Sequence, residues 1–223
     1  MGQQTRTAIV NQVLANLGRT DDTSVETQIE DTWLPVVLKR IANARPWPDL
    51  DTAGSGTLGS GETSIDLATD LRKLYNVRLD DGSNSKVIPV ILPTEFDRAQ
   101  HDVLEAGTTT GEPIVCCRYG RALRFSPTSD DDYTISYRYR KVVGEMDDDT
   151  DTCDILDIDD ILIAELTQYA CLQLRRFELA AVWQRKAKEA WEAHDSDIGG
   201  SPPLIRPYTA SAYNDSIDAR HYR

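Results

Sequence analysis

Apolar residues recur at helical spacing over the longest uninterrupted stretch of the chain, residues 159–197, which contains neither Gly nor Pro. A spacing of three to four places these residues on one face of a helix. The stretch therefore predicts two amphipathic helices or one bent helix, and the choice depends on whether the chain turns at 175–178. The apolar positions are Leu162, Leu166, Tyr169, Leu172, Leu179, Trp183, Ala187 and Ala190.

A short helix is predicted near the N-terminus, over residues 5–17. Its apolar stripe repeats every four residues. Thr5 or Thr7 can cap its first turn, and Gly18 follows as the C-terminal stop.

A second N-terminal helix is predicted from a cap at Ser24 to about Ala44. Pro35 removes one backbone donor inside it, which predicts a kink close to that residue. Pro46 and Pro48 then end the helix.

The middle of the chain, from residue 49 to about 141, changes to short apolar runs separated by Gly, Pro, Asn and Ser, which is typical of β-strands and turns. The hairpin turn signals are 80–85 and Gly120, and a short helical turn is predicted over 93–100. About five antiparallel strands, as a small sheet or sandwich, are expected. The predicted strands are 74–79, 86–92, 113–119, 122–126 and 133–141.

Two irregular segments flank the long helical stretch. Residues 144–160 form an acidic connector, and Asp157 or Asp159 lies where a helix N-terminus favours negative charge. Residues after Asp197 are rich in Gly, Pro, Ser and Tyr without helical spacing. Tyr and Arg are frequent at interfaces, so an arm that becomes ordered on a partner is favoured over simple disorder.

Composition limits the classes of function. The chain has 37 acidic and 24 basic residues and a net charge of −13. That balance argues against a protein that grips nucleic acid through its phosphates, although DNA could slide past a repelling surface. No window approaches 18 uncharged apolar residues, so no membrane span is expected, and the N-terminal residues do not resemble a signal peptide.

The four cysteines predict no disulfide framework. Cys116 and Cys117 are adjacent, and neither Cys153 nor Cys171 has CxxC spacing or a neighbouring histidine. We expect all four to be reduced in a cytoplasm-like compartment.

A literal GxGxxG occurs at Gly54, Gly56 and Gly59. A dinucleotide site needs a hydrophobic strand before the glycines and a helix after them, and the flanking residues predict neither. The interpretation is a flexible loop.

The acidic connector carries the one-three-five spacing of a calcium loop at Asp147, Asp149 and Asp151. Thr152 stands where such a loop has its turn glycine, and no glutamate follows at the twelfth position. A solvated acidic link is favoured over a metal site. A third hypothesis, metal-dependent hydrolysis by the acids of this connector, is not favoured, because no histidine lies among them.

No catalytic set is apparent. His101, His194 and His221 have no Cys or His neighbour at metal spacing, and no Ser lies in a nucleophile elbow. We therefore predict a protein that is not an enzyme and has no cofactor and no metal.

The order of the parts resembles the head-to-tail adaptor family of tailed bacteriophages, of the tail tubular protein A type. The resemblance covers most of the chain and rests on packing and turn patterns. The segments that carry it are LPVVLKRIANARPWPDL (34–50), TSIDLATDLRKLYNVRL (63–79), GEPIVCCRYGRALRFSPTSDDDYTISYRYRK (111–141) and the helices from 159 on.

The resemblance implies an α+β fold: a helical bundle of two N-terminal helices and a long C-terminal helix pair, with an inserted antiparallel β domain and an extended C-terminal arm. The implied domains are a helical ring-forming domain (1–48 and 155–198), a β domain (49–154) and the arm (199–223). Loops 54–61, 80–85 and 104–112 would meet neighbouring proteins.

The implied function is that of a structural virion protein in the neck or tail, assembled in the bacterial host cytoplasm. Twelve copies would form a ring between the portal protein and tail or neck proteins such as a nozzle, stopper or terminator. Genomic DNA would pass through the ring without specific binding.

The resemblance also implies two sets of site residues. The portal-binding arm would use Leu204, Ile205, Arg206, Tyr208, Tyr213, Arg220, Tyr222 and Arg223. The subunit interface would use Arg175, Arg176, Arg185, Lys188 and Glu192.

A second hypothesis is a ligand- or receptor-binding β module of a virion, with a helical oligomerisation unit. Exposed aromatic residues on a β face, such as Tyr133, Tyr137 and Tyr139, would favour it. Their alternation fits a packed face equally well.

Overall fold

A computed structural model describes residues 3–105, 107 and 109–197. The fold is α+β and its contacts divide it into two compact units. The helical unit holds the described residues up to Val37, Asp147–Thr152, and those from Asp157 on. The β unit holds Leu38–Met146 and Cys153–Leu156.

The first helix, α1 (Arg6–Leu17), confirms the prediction from the apolar stripe. Thr5 is its cap, and the Thr5 hydroxyl accepts a hydrogen bond from the Ala8 backbone N–H at 3.4 Å. Gly18 ends the helix in the left-handed conformation, with φ of 62°, and its N–H donates to the Ala15 carbonyl. The buried stripe is Ile9, Val10, Val13, Leu14 and Leu17.

The second helix begins earlier than predicted. Asp22, and not Ser24, caps α2 (Thr23–Gln28), because the Asp22 carboxylate accepts from the Val25 N–H at 3.2 Å while Ser24 already lies inside the first turn. A π-helical stretch, Ile29–Trp33, leads into α3 (Leu34–Ala44). The distortion lies just before Pro35, which has no N–H to donate back into it.

The long helical stretch is a hairpin. Helix α5 (Asp159–Gln173) and helix α6 (Phe177–Asp197) are joined by a turn in which Arg175 has φ of 57°. The indole N–H of Trp191 donates to Glu165 Oε1 at 3.1 Å, which fixes the two helices as antiparallel.

Helix α5 departs from the predicted amphipathic pattern. Leu172 is exposed and Tyr169 is half-buried, and buried side chains surround the rest of the helix, so α5 is a central element with no solvated face along its middle. Its buried residues are Ile161, Leu162, Ile163, Ala164, Leu166, Thr167, Ala170 and Cys171. Helix α6 keeps the expected stripe, with Ala180 and Ala187 buried and Trp183 half-buried.

The described residues of the β unit form two antiparallel sheets. One has the order β1-β7-β3-β4 and the other β2-β6-β5. The strands are β1 (Asp51–Leu58), β2 (Ser64–Asp66), β3 (Leu71–Asp80), β4 (Ser85–Ile88), β5 (Val115–Tyr119), β6 (Ala122–Ser126) and β7 (Tyr133–Lys141). The unit also contains α4 (Pro93–Glu105).

Both predicted hairpins are confirmed. Strand β3 pairs with β4 in the register Asp80↔Ser85, and Gly82 has φ of 84° in the turn between them. Strand β5 pairs with β6 around Gly120. The predicted helical turn at 93–100 is longer than expected and forms α4, and the strand predicted over 86–92 ends at Ile88.

The interpretation of the GxGxxG stretch as a flexible loop is wrong for its first two glycines. Gly54 and Gly56 lie in β1, paired with Tyr137 and Ile135 of β7. A Cβ atom on Gly54 would lie 2.5 Å from Cζ of the Tyr137 ring. Glycine is therefore present because an aromatic ring covers the strand there.

Candidate functional site

The surface of the helical hairpin carries the predicted subunit-interface residues. Arg185 and Lys188 are exposed on α6, where they form ion pairs with Glu189 at 3.9 Å and with Glu192 at 3.5 Å. Such exposed pairs contribute a few tenths of a kcal/mol. Arg175 is exposed in the turn.

Arg176 differs from the other members of this set because it makes a contact within its own chain. Its guanidinium donates to the Leu17 carbonyl at 2.7 Å and so ties the hairpin turn to the end of α1. Arg176 is half-buried. The bond satisfies one of the carbonyls that a helix C-terminus leaves without a partner.

Sequence reasoning missed the exposed apolar residues at and near the same turn. Phe177 is 66% exposed, and Leu172 and Val182 are also exposed. Phe177 stands outside the apolar stripe of α6, and this departure from the helical spacing is the signal that could have marked it.

The acidic connector is ordered around Arg6, a residue that sequence reasoning did not single out. The Arg6 guanidinium donates to the Asp147 carbonyl at 2.6 Å and lies 3.5 Å from the Glu30 carboxylate. The Arg6 backbone N–H donates to the Asp151 carbonyl at 2.8 Å. We call this arrangement of residues 147–151 around Arg6 and Glu30 the arginine clip.

Two side chains of the connector lie outside the clip and two contribute to it. Asp147 and Asp148 are exposed, and their backbone N–H groups both donate to the Asp151 carboxylate, at 3.0 and 2.9 Å. The Asp149 carboxylate lies 3.7 Å from the Arg6 guanidinium. The predicted solvated link is therefore exposed at Asp147 and Asp148 and held in place through its backbone, Asp149 and Asp151.

Burial shifts the acidity of two carboxyl groups in the helical unit. Desolvation raises the pKa of Glu30, and the charge of Arg6 opposes the rise. Desolvation likewise raises the pKa of Asp159 at the start of α5, and a hydrogen bond from the Gln4 N–H, at 2.7 Å, opposes it. Asp159 and Asp160 both place carboxyl groups in the first turn of this helix.

The three tyrosines of β7 belong to the core of the β unit. Tyr133, Tyr137 and Tyr139 are 7%, 4% and 5% exposed. Their hydroxyl groups are used internally: Tyr133 and Tyr139 donate to Asp130 and Asp70, at 2.8 and 2.9 Å. The aromatic face that would favour a ligand-binding module is a packed face.

Among the described residues no cluster of three or more His, Cys, Asp or Glu side chains could hold a metal ion. All four cysteines are buried and none forms a disulfide, and burial raises the pKa of Cys116 to about 12, which keeps it as an unreactive thiol. No helix in this part of the chain is long and apolar enough to cross a bilayer.

The predicted portal-binding arm lies outside the described residues. This holds for all of its named positions: Leu204, Ile205, Arg206, Tyr208, Tyr213, Arg220, Tyr222 and Arg223.

Comparison with known families identifies a match over most of the chain. The family model described as SU10 adaptor protein matches residues 4–206, which include the described parts of both units. A search of curated proteins finds no matching relative.

Proposed function

Because the chain belongs to the SU10 adaptor protein family, a family of phage head-to-tail adaptors, we propose that it forms a ring between the portal protein and the tail or neck proteins of the virion. The family consists of structural virion proteins and is not an enzyme class. The ring would contain twelve copies, as in the adaptors that the sequence resembles.

The match over residues 4–206 carries this proposal. It spans the helical hairpin, the β unit and the first residues of the predicted arm, so the family relation is not confined to one part of the chain. The burial of Tyr133, Tyr137 and Tyr139 removes the observation that would favour a ligand-binding module, and no second function is proposed.

Within the ring, the arm of residues 199–223 would bind the portal, and the charged face of α6, with Arg175, Arg185, Lys188 and Glu192, would contribute to the contact between copies. Genomic DNA would pass through without specific contacts. The net charge of −13 supports this part of the proposal, since an acidic channel repels phosphate and lets the polymer slide.

Electron microscopy of the full chain mixed with its cognate portal tests the function. We expect a twelvefold collar on one face of the portal. A portal that stays bare at saturating concentrations of the chain would refute the proposal.

A chain that ends at residue 198 tests the arm. We expect it to lose portal binding in a pull-down while its urea unfolding matches that of the full chain. Undiminished portal binding would show that the arm assignment is wrong.

A further inference from the structure

The helical unit carries opposite charge at its two ends. Residues 174–188, the turn and the first half of α6, contain five basic residues and one acidic residue, in a chain whose net charge is −13. We call this region, together with Leu172, the hairpin end. The ion pairs of Arg185 and Lys188 with Glu189 and Glu192 moderate its charge but leave a basic excess.

The other end is acidic. Residues 147–152 and 157–160 contain seven acidic residues and no basic residue. Helix α1 joins the two ends: the Gln4 N–H donates to Asp159 at one, and the Leu17 carbonyl accepts from Arg176 at the other. The fifteen residues of α5 separate the two ends by about 22 Å.

Exposed apolar side chains lie within the basic end. Phe177 is the most exposed of them, and Leu172 and Val182 are exposed in the same stretch of chain. Aromatic residues and Arg are enriched at the core of protein interfaces. Duplex DNA would pair with the basic groups but would leave Phe177 in water, so a protein partner fits this surface better.

We propose that the hairpin end of one copy docks on the acidic end of the helical unit of the next copy, with Phe177 at the centre of the contact. This inference rests on the ring proposed above. Each copy carries both complementary surfaces at opposite ends of its helical unit, so the contact is head-to-tail. A head-to-tail contact closes into a ring when its rotation is a fraction of a full turn.

Two pairs of substitutions test the charge complementarity. Arg185→Glu with Lys188→Glu reverses the basic surface, and Asp147→Lys with Asp148→Lys reverses the acidic one. These aspartates are suited to the test because the arginine clip uses their backbone and not their side chains. Arg121→Glu, on an exposed residue of the β unit, is the matched charge control.

Phe177→Asp tests the apolar centre, and Val87→Asp is its control, since Val87 is an equally exposed apolar residue of the β unit. We measure association of the full chain alone by sedimentation over a range of concentrations. We also count the copies on the cognate portal by electron microscopy. Far-UV circular dichroism confirms that each variant is folded.

We expect Phe177→Asp and each charge pair to weaken association by about tenfold or more, while both controls assemble as the unchanged chain does. A mixture of the two charge-reversed variants should assemble again, because the unchanged contact would alternate with a contact in which both charges are reversed. All four charge reversals in one chain should restore assembly.

Several results would overturn the inference. One is normal ring formation by Phe177→Asp, and another is absence of self-association by the unchanged chain both alone and on the portal. A third is weakened binding to duplex DNA with assembly unaffected, which would make the surface a DNA contact.

The same measurements separate this inference from the proposed function. Self-association that depends on Phe177 without any portal binding would support the contact and refute the adaptor role. A collar on the portal that forms equally well with Phe177→Asp would do the reverse.

Discussion

Gly54 offers a stringent test of how the β unit is packed. A methyl group added at this position would lie 2.5 Å from Cζ of Tyr137 and 2.6 Å from the hydroxyl oxygen of that residue. Carbon atoms in contact prefer about 3.5 to 4.0 Å, so the overlap is about 1 Å. The ring is held in place because it is buried and its hydroxyl accepts a hydrogen bond from the Ala68 N–H at 3.0 Å.

The cost of Gly54→Ala follows from two opposing effects. Overpacking a buried site costs about 1 to 3 kcal/mol, and a displaced ring also loses its hydrogen bond to Ala68, which adds about 1 kcal/mol. Alanine also restricts the unfolded chain more than glycine does, and this effect stabilises the folded state by about 0.4 to 1 kcal/mol. We expect a net loss of about 2 kcal/mol in the free energy of unfolding.

Urea unfolding followed by far-UV circular dichroism measures this loss. For a slope of about 2 kcal/mol per molar urea, the midpoint should fall by about 1 M. Gly56→Ala is the matched control on the same strand. Its new methyl group would meet the terminal Cδ1 of Ile65 at 3.3 Å, and that methyl can move, so the loss should stay below about 1 kcal/mol.

Repeating the substitution in a chain that already carries a change at Tyr137 tests whether the Tyr137 ring causes the loss. Tyr137→Leu removes the ring atoms that Gly54 faces, so Gly54→Ala should be close to neutral when added to it. An equal loss with tyrosine and with leucine at position 137 would refute the argument. So would a Gly54→Ala variant whose stability lies within about 0.5 kcal/mol of the unchanged chain.

Further predictions concern the clip, the tyrosines and the first helix. Arg6→Ala should lower the free energy of unfolding by about 3 kcal/mol, because it leaves the partly buried Glu30 without its charge partner, and urea unfolding measures this. Burial raises the pKa of Tyr133 and Tyr139 to about 12 from an ordinary value of 10.0. Their contribution to stability should therefore be complete below pH 10 and be lost as the pH rises towards 12, as followed by stability against pH and by tyrosinate absorbance. Gly18→Ala should cost about 1 kcal/mol in thermal unfolding, since φ is 62° and no neighbouring atom lies within 4 Å of the new methyl.

Each of these has its own control. Arg185→Ala removes an exposed arginine of α6 and should change stability by less than about 0.5 kcal/mol; an equal loss in the two arginine variants would contradict the role of the clip. Tyr139→Phe should reduce the fall in stability above pH 10, and an unchanged pH profile would count against it. Stability gained by Gly18→Ala would mean that the left-handed cap is not required.

Local signals predicted the elements whose ends are fixed by nearby residues. Thr5 and Gly18 bound α1 from within one turn of each end, and Gly120 lies in the turn that it predicts. No local sequence signal distinguished a bent helix from a hairpin over residues 159–197. The hairpin depends on Trp191 reaching Glu165, 26 residues away.

Elements stabilised by distant partners escaped prediction. Strand β1 has a sequence rich in small residues, and its pairing with β7 brings Gly54 against Tyr137 across more than 80 residues of chain. The arginine clip joins residues 141 positions apart, so the isolated Arg6 gave no sign of it. Asp22 and Ser24 are both residue types that favour the N-cap position, and only the folded backbone shows that Asp22 occupies it. The exposure of Phe177 was not predicted, because helical spacing identifies the residues of the buried stripe and says nothing about apolar residues outside it.

The order in which the chain is synthesised gives the long-range contacts of α1 a further consequence. Residues 38–146 of the β unit leave the ribosome before α5 exists, whereas α1 must wait for partners that lie 155 and 159 residues further along the chain. At about 5 to 20 residues per second, this delay lasts on the order of ten seconds. The apolar stripe of α1 is without its native cover during that time. A nascent chain stalled before residue 159 should therefore recruit chaperones through its first helix, while its β unit can already be folded.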